Sequence, residues 1–100
     1  MIGTVFLNHN NIQSQMDPYR NSARLAAEHQ KPLIMFETNT ASCGGFAGFS
    51  NTYGSAQWSV DYALTLAFGN FSAALWHVGG QNDYYNVRFI RYGPLVPPAN

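Results

Sequence analysis

One carboxylate stands out in this sequence because it directly follows a short run of apolar residues. The run is Leu33–Phe36, and Glu37 after it is one of two glutamates in the chain. Such a run is typical of a strand buried on both faces. A carboxylate at its end costs desolvation energy unless it is hydrogen-bonded or used in chemistry. The position therefore indicates a functional carboxylate, or else a solvated residue or cap where a loop begins.

A glycine-rich loop after this carboxylate contains the next candidates. Cys43 and a histidine elsewhere in the chain could be the nucleophile and the base of a cysteine hydrolase. We expect instead that Cys43 is a small buried thiol packed between glycines. Gly44 and Gly45 allow backbone N–H groups to approach a ligand closely, because no Cβ intervenes. No phosphate-binding motif surrounds them. The three histidines lack the spacing of metal ligands, so the sequence predicts no metal and no cofactor.

Three further candidates lie near the end of the chain. His77 alternates with Ala73 and Leu75, so we expect it to share their face of a strand. A hydrogen-bonded core histidine is the default interpretation of His77, and a site residue is the alternative. Tyr84 and Tyr85 fit either a core or the wall of a cleft.

Two strands joined by a helix must position these residues. The expected order is a helix over 17–30, a strand over 33–36, a loop over 38–49, a helix, a strand over 71–78 and a loop over 79–83. The second helix is expected to be capped by Ser50 or Asn51 and to end at Gly69. This order predicts an α/β fold with parallel strands and a right-handed crossover. Both loops follow the carboxyl ends of strands, where α/β proteins place their sites.

Three other segments receive structural predictions. The apolar face of the second helix is expected to consist of Tyr53, Ala56, Val60, Ala63, Leu64 and Ala67. Trp58 and Asp61 in the same helix are assigned structural roles. The run Thr4–Leu7 is expected to be a strand end or a buried loop.

Composition excludes several classes of function. The 100 residues carry 5 basic and 5 acidic side chains, which argues against nucleic acid or a membrane surface as a partner. An aromatic content of 15% argues against disorder. No apolar run approaches the ~18 residues of a membrane span. Residues 1–7 lack the features of a signal peptide. A single cysteine excludes an internal disulfide. Charged residues make up 10% of the chain, against about 25% in typical domains, which indicates a piece of a larger protein.

The chain from Phe36 to Tyr62 also carries a longer pattern. It contains the runs FETNTASCGG and GFSNTYGSAQW, followed by Asp61-Tyr62. This pattern closely resembles glycoside hydrolase family 79, the β-glucuronidase and heparanase family, and especially its fungal members. The resemblance covers roughly residues 8–92. Two departures are Ser42-Cys43, where many relatives have a tyrosine before the glycines, and Asn51, where an aspartate is common.

The resemblance implies a fold and an activity. Residues 1–93 would be the C-terminal part of a (β/α)8 barrel with strands seven and eight, and the proline-rich residues 94–100 the start of a linker toward a β-domain. Glu37 matches the nucleophile of a retaining β-glucuronidase, whose acid/base glutamate would lie before this sequence. Gly44, and with it Gly45, matches a backbone clamp for the glucuronate carboxylate. Tyr84, or alternatively Tyr85, matches a tyrosine that contacts the same carboxylate.

The expected partner is thus a glucuronate-containing glycan, and secretion is expected from the family. A sequon for N-glycosylation, Asn70-Phe71-Ser72, falls in the turn before the second strand. The 100-residue chain alone is expected to be inactive. The alternative is a non-catalytic carbohydrate-binding protein, or a truncated product without the acid/base glutamate.

Overall fold

The computed structural model describes residues 2–78, in which helices cover one face of a two-stranded parallel sheet. The elements are α1 (Ile2–Phe6), α2 (His9–Ser14), a 3-10 turn (Asp17–Tyr19), α3 (Arg20–Glu28), β1 (Ile34–Thr38), α4 (Tyr53–Phe68) and β2 (Ala73–Trp76). The predicted order of strand, helix and parallel strand is confirmed. The structure is a mixed α/β arrangement, compatible with a piece of a larger α/β fold. Tyr84, Tyr85, the second predicted loop and the predicted linker lie outside the described residues.

The ends of α4 follow from local side-chain chemistry. The hydroxyl of Thr52 accepts a hydrogen bond from the backbone N–H of Ser55 and caps the first turn. The prediction of Ser50 or Asn51 as the cap is therefore wrong, and Ser50 is buried inside the preceding loop instead. The helix ends at Phe68 with Gly69 as its C-cap, and Asn70 follows in the left-handed region, with φ at +67°.

The core lies between α2, α4 and one face of the sheet. Its buried members are Ile12, Met16, Trp58, Tyr62, Leu66 and Phe71. The ring of Trp58 stacks on that of Tyr62, with 4.9 Å between their centroids. The predicted structural role of Trp58 agrees with this packing.

The face of α4 that packs on the core differs from the predicted one. Ser55, Trp58, Tyr62, Thr65 and Leu66 are buried, whereas Tyr53, Val60, Leu64 and Phe68 are exposed. Because α4 is apolar on most of its circumference, it offers two candidate stripes. The stripe with the tryptophan and the tyrosine buries more apolar surface, so it packs inward.

The register of the sheet changes within β1. Ile34 pairs with Ala73 and Met35 with Ala74, but Thr38 pairs with Trp76, so β1 carries one extra residue. Such a bulge breaks the alternation of side chains between the two faces. Met35 and Thr38 are half-buried, while the two residues between them are both exposed. The bulge therefore releases two consecutive side chains, Phe36 and Glu37, from the covered face of the sheet.

The other face of the sheet is open, which corrects the prediction of strands buried on both faces. The side chain of Phe36 is 80% exposed, and Ile34 and Leu75 are also exposed. Among residues 2–78 no element packs on this face, because the helices lie on the opposite one. The segment Thr4–Leu7 is also corrected, since Thr4 to Phe6 belong to α1. Phe6 alone packs inward there, edge-on to Phe49 and Trp58.

Candidate functional site

The carboxyl ends of the two strands bring Glu37 and His77 together. Glu37 is the second-to-last residue of β1, and His77 directly follows β2. The Nδ1 atom of His77 is 3.1 Å from Oε1 of Glu37. The Glu37 side chain is 72% exposed and that of His77 is 49% exposed. His77 does share the open face with Ala73 and Leu75, but the prediction of a core histidine is wrong.

A buried tyrosine on α4 holds the strand that carries Glu37 from the covered face of the sheet. The phenol of Tyr62 on α4 hydrogen-bonds to the side chain of Thr38. Burial of Tyr62 raises its pKa above the ordinary value of 10.0, the neighbouring Tyr19 raises it further, and the bond to Thr38 lowers it. Because the bulge turns Thr38 toward α4, this bond anchors the residue next to the exposed carboxylate.

The loop between β1 and α4 is held by a small network of polar side chains. Asn39 donates from Nδ2 to the carbonyl oxygen of His77 at 2.8 Å, and its Oδ1 accepts from the backbone N–H of Thr40 at 2.7 Å. The hydroxyl of Thr40 donates to Oγ of Ser50 at 2.9 Å, and the N–H of Phe46 donates to the same oxygen. Thr40 and Ser50 are almost fully buried. Buried and satisfied bonds of this kind fix the loop next to the strand ends.

Three consecutive residues of this loop adopt the left-handed conformation. The φ angles are +57° at Cys43, +86° at Gly44 and +83° at Gly45. Glycine accepts this conformation freely, but a cysteine in it is uncommon. Cys43 is exposed, so the prediction of a buried thiol is wrong. The two glycines allow this turn of the backbone, and the turn places the thiol of Cys43 at the surface.

The two glycines differ in their surroundings. The N–H of Gly45 donates to the carbonyl oxygen of Ser42 at 3.2 Å, and Gly45 is buried. Gly44 is half-buried and lines the same cleft as Glu37. Gly44 is therefore the glycine of this pair that borders the cleft, while Gly45 closes the turn.

The cleft has a volume of about 680 Å³. Its walls are residues 37–44 and His77, so it is formed by the two strand ends and the first part of the loop. Glu37 is the one carboxylate among these lining residues. Within residues 2–78 no group of three His, Cys, Asp or Glu side chains converges as a metal site.

Most of the contacts around Glu37 were not predictable from residue types. The roles of His77, Asn39 and Ser50 depend on the bulge and on the path of the loop, which no local pattern specifies. Two supporting residues had a sequence signal: Thr38 directly follows the predicted functional carboxylate, and His77 was named as an alternative site residue. Asp61 takes the structural role expected of it, with its Oδ1 2.8 Å from Nδ1 of His9 on α2.

The chain is similar to known fungal proteins. A β-glucuronidase of Neurospora crassa is 30% identical over an aligned length of 93 residues, and the match covers 90% of this chain and 16% of that protein. A β-glucuronidase of Aspergillus niger is 38% identical over 53 residues, or 53% of this chain and 10% of that protein. The chain thus spans less than a fifth of the length of these curated relatives. The similarity relates it to a segment of fungal β-glucuronidases.

No protein-family profile matches the chain, and no solved structure matches it either. Among the described residues, no helix is both long and apolar enough to cross a bilayer.

Proposed function

We propose that this chain is the nucleophile-bearing segment of a retaining β-glucuronidase of the family 79 type, and that Glu37 is the nucleophile. One observation carries the proposal. An accessible carboxylate stands at the carboxyl end of a parallel strand, on the wall of a 680 Å³ cleft, in a chain similar to two β-glucuronidases. Strand ends of this kind are where α/β enzymes place catalytic groups.

The chemistry assigns each group a defined task. The Glu37 carboxylate attacks the anomeric carbon while the glycosidic C–O bond breaks, and the leaving oxygen takes a proton from a second carboxylic acid. Water, deprotonated by that second residue, then hydrolyses the glycosyl ester and releases Glu37. His77 contacts Oε1 of Glu37. An ionised carboxylate only accepts hydrogen bonds, so Nδ1 of His77 must carry the proton when it holds Glu37 in this way.

The acid/base residue must come from outside the described chain. Retaining hydrolysis requires the two carboxyl groups to lie about 5–5.5 Å apart. The other acidic side chains of residues 2–78 are engaged elsewhere: Asp17 pairs with Arg20, Glu28 with Arg24, and Asp61 with His9. We therefore propose that the chain completes a (β/α)8 barrel, as strands seven and eight, whose earlier strands supply the acid.

The substrate is proposed to be a terminal glucuronate or 4-O-methylglucuronate of a glycan. Gly44 lines the cleft beside Glu37, which favours its backbone as the contact for the sugar carboxylate. Gly45 can take part only if its bond to Ser42 opens. Tyr84 remains the proposed second contact, with Tyr85 as the alternative. Charge-assisted hydrogen bonds to a carboxylate contribute about 1.5–3 kcal/mol each, enough to separate an acidic sugar from a neutral one.

A chimera provides the test. The matched segment of the Neurospora crassa β-glucuronidase is replaced by the part of this chain that aligns with it, and rates are measured on aryl β-glucuronide and aryl β-glucoside. We expect activity on the glucuronide and a preference of at least about 100-fold, because the glucoside leaves the carboxylate donors unpaired. Equal rates on the two sugars would refute the glucuronate assignment.

The alternative is a carbohydrate-binding chain without catalysis, and the absence of a second carboxylate among the described cleft residues favours it. A folded chimera that binds glucuronate but shows no turnover supports this alternative. In the chimera, Tyr84→Phe should reduce the preference for the acidic sugar. An unchanged preference would move the recognition to Tyr85 or to the glycine turn.

A further inference from the structure

The sequon Asn70-Phe71-Ser72 lies in a folded turn that exposes its acceptor. Asn70 and Ser72 are exposed, whereas Phe71 between them is buried and packs edge-on against Tyr19 at 5.9 Å. The N–H of Phe71 donates to Leu66 and that of Ser72 donates to Leu33. The turn is therefore anchored in the middle, while the amide of Asn70 and the hydroxyl of Ser72 remain at the surface.

An exposed aromatic ring stands two residues before this acceptor. Phe68 ends α4 and is 95% exposed, the largest exposure among the exposed hydrophobic side chains of the described chain. Phe68 and Asn70 line the same groove, which has a volume of about 880 Å³ and runs between α3 and α4. An aromatic ring at the surface leaves apolar area in contact with water, which is unfavourable unless another group covers the ring. The apolar C–H face of a sugar ring is one such cover.

We propose that Asn70 is an N-glycosylation site and that the first N-acetylglucosamine of its glycan packs on the ring of Phe68. The proposal rests on the secretion expected of the proposed glycosidase, but it does not depend on which residue is the nucleophile. In the modification, the amide nitrogen of Asn70 bonds to the anomeric carbon of a polyprenyl-diphosphate-linked oligosaccharide. The C–O bond to the diphosphate breaks, the lipid diphosphate leaves, and the amide loses one proton.

The glycan lies at the opposite end of the sheet from the candidate site. Ser72 bonds to Leu33, just before β1 begins, whereas Glu37 and His77 stand where the parallel strands end. A glycan on Asn70 therefore does not obstruct the cleft. It covers the apolar end of α4, which has no other cover among residues 2–78.

The first test measures occupancy. The complete chain is expressed in yeast behind a secretion leader, and intact masses are taken from the medium and from the cell extract, so that retained protein is counted as well. We expect a glycan mass that peptide N-glycosidase removes with conversion of Asn70 to aspartate. Ser72→Ala, which keeps the asparagine, should abolish it. An unmodified Asn70 in both fractions would overturn the proposal.

The second test asks whether the sugar covers the ring of Phe68. In Phe68→Trp, acrylamide quenching reports on an exposed indole, because Trp58 is buried and Trp76 half-buried. We expect the glycan to lower the quenching constant roughly by half, since one of the two ring faces becomes covered. Tyr53→Trp is the matched control, because Tyr53 is exposed at the other end of α4. The role of Phe68 would be overturned if the glycan on Asn70 left the quenching of the Phe68→Trp variant unchanged. It would also be overturned if the glycan changed the quenching of the Phe68→Trp and Tyr53→Trp variants equally.

Discussion

The Nδ1 atom of His77 lies 3.1 Å from Oε1 of Glu37, and the two residues come from the ends of different strands. The backbone of His77 is also tied to the first strand. Its N–H donates to Thr38 at 2.9 Å, and its carbonyl accepts from Asn39 at 2.8 Å. These backbone hydrogen bonds hold His77 in place, so its imidazole can orient the carboxylate of Glu37.

Replacement of His77 should affect the rate more than substrate binding. In the chimera, His77→Ala is expected to lower kcat about 10- to 100-fold with little change in KM, because a displaced nucleophile loses its alignment with the anomeric carbon. His77→Asn should restore part of the rate, since its amide nitrogen can replace Nδ1. His29→Ala, in an exposed histidine at the end of α3, is the control. A rise in KM without loss of kcat would assign His77 to substrate binding instead.

Removal of the Tyr62 hydroxyl should destabilise the protein at neutral pH. Tyr62→Phe keeps the stacked ring but leaves Thr38 without its partner, so we expect a loss of about 1 kcal/mol in the free energy of unfolding. Urea denaturation of the chimera measures it. Tyr53→Phe, at an exposed position, should have no effect.

The same variant has a predicted pH dependence. Because the pKa of Tyr62 is raised in the folded protein, the unfolded chain loses this proton first as the pH increases. The stability from this group is therefore complete below about pH 10 and declines above it. The difference between wild type and Tyr62→Phe should narrow as the pH rises from about 10 to about 12. A difference that widens over this range would contradict the assignment.

The isolated chain should self-associate and show no glucuronidase activity. Its sheet has an open face with Ile34, Phe36 and Leu75, and each strand has an unpaired edge among the described residues. Light scattering after size exclusion should show particles larger than a monomer. The double variant Ile34→Ser/Phe36→Ser should reduce the association more than Val60→Ser/Leu64→Ser on α4. A wild-type chain that is monodisperse and melts cooperatively would contradict this prediction.

The order of the elements could be predicted from the sequence because its signals are local. Apolar runs predicted both strands, and Gly69-Asn70 predicted the end of α4. The buried face of α4 could not be predicted in the same way, since the helix is apolar on most sides and the choice depends on what it packs against. For the candidate site, Glu37 was proposed as a functional carboxylate because it follows an apolar run. The contact with His77 was not, because it depends on the extra residue in β1.

Glu37→Gln should abolish turnover while it leaves binding largely intact. The amide keeps the shape of the side chain but cannot form the glycosyl ester, so kcat of the chimera should fall at least about 1,000-fold, as when other nucleophiles are removed. Glu28→Gln, on the exposed surface of α3, is the matched control and should keep full activity. Comparable losses in both variants would point to misfolding rather than to a lost nucleophile.

Covalent trapping tests the central claim most directly. The chimera is treated with a 2-fluoro-glucuronide that forms the glycosyl ester but hydrolyses slowly, and the labelled peptide is sequenced by mass spectrometry. The account predicts one sugar per chain, attached to the side chain of Glu37 and absent from Glu37→Gln. A label on Asp83 or Cys43, or an active chimera in which Glu37 remains unlabelled, would contradict it.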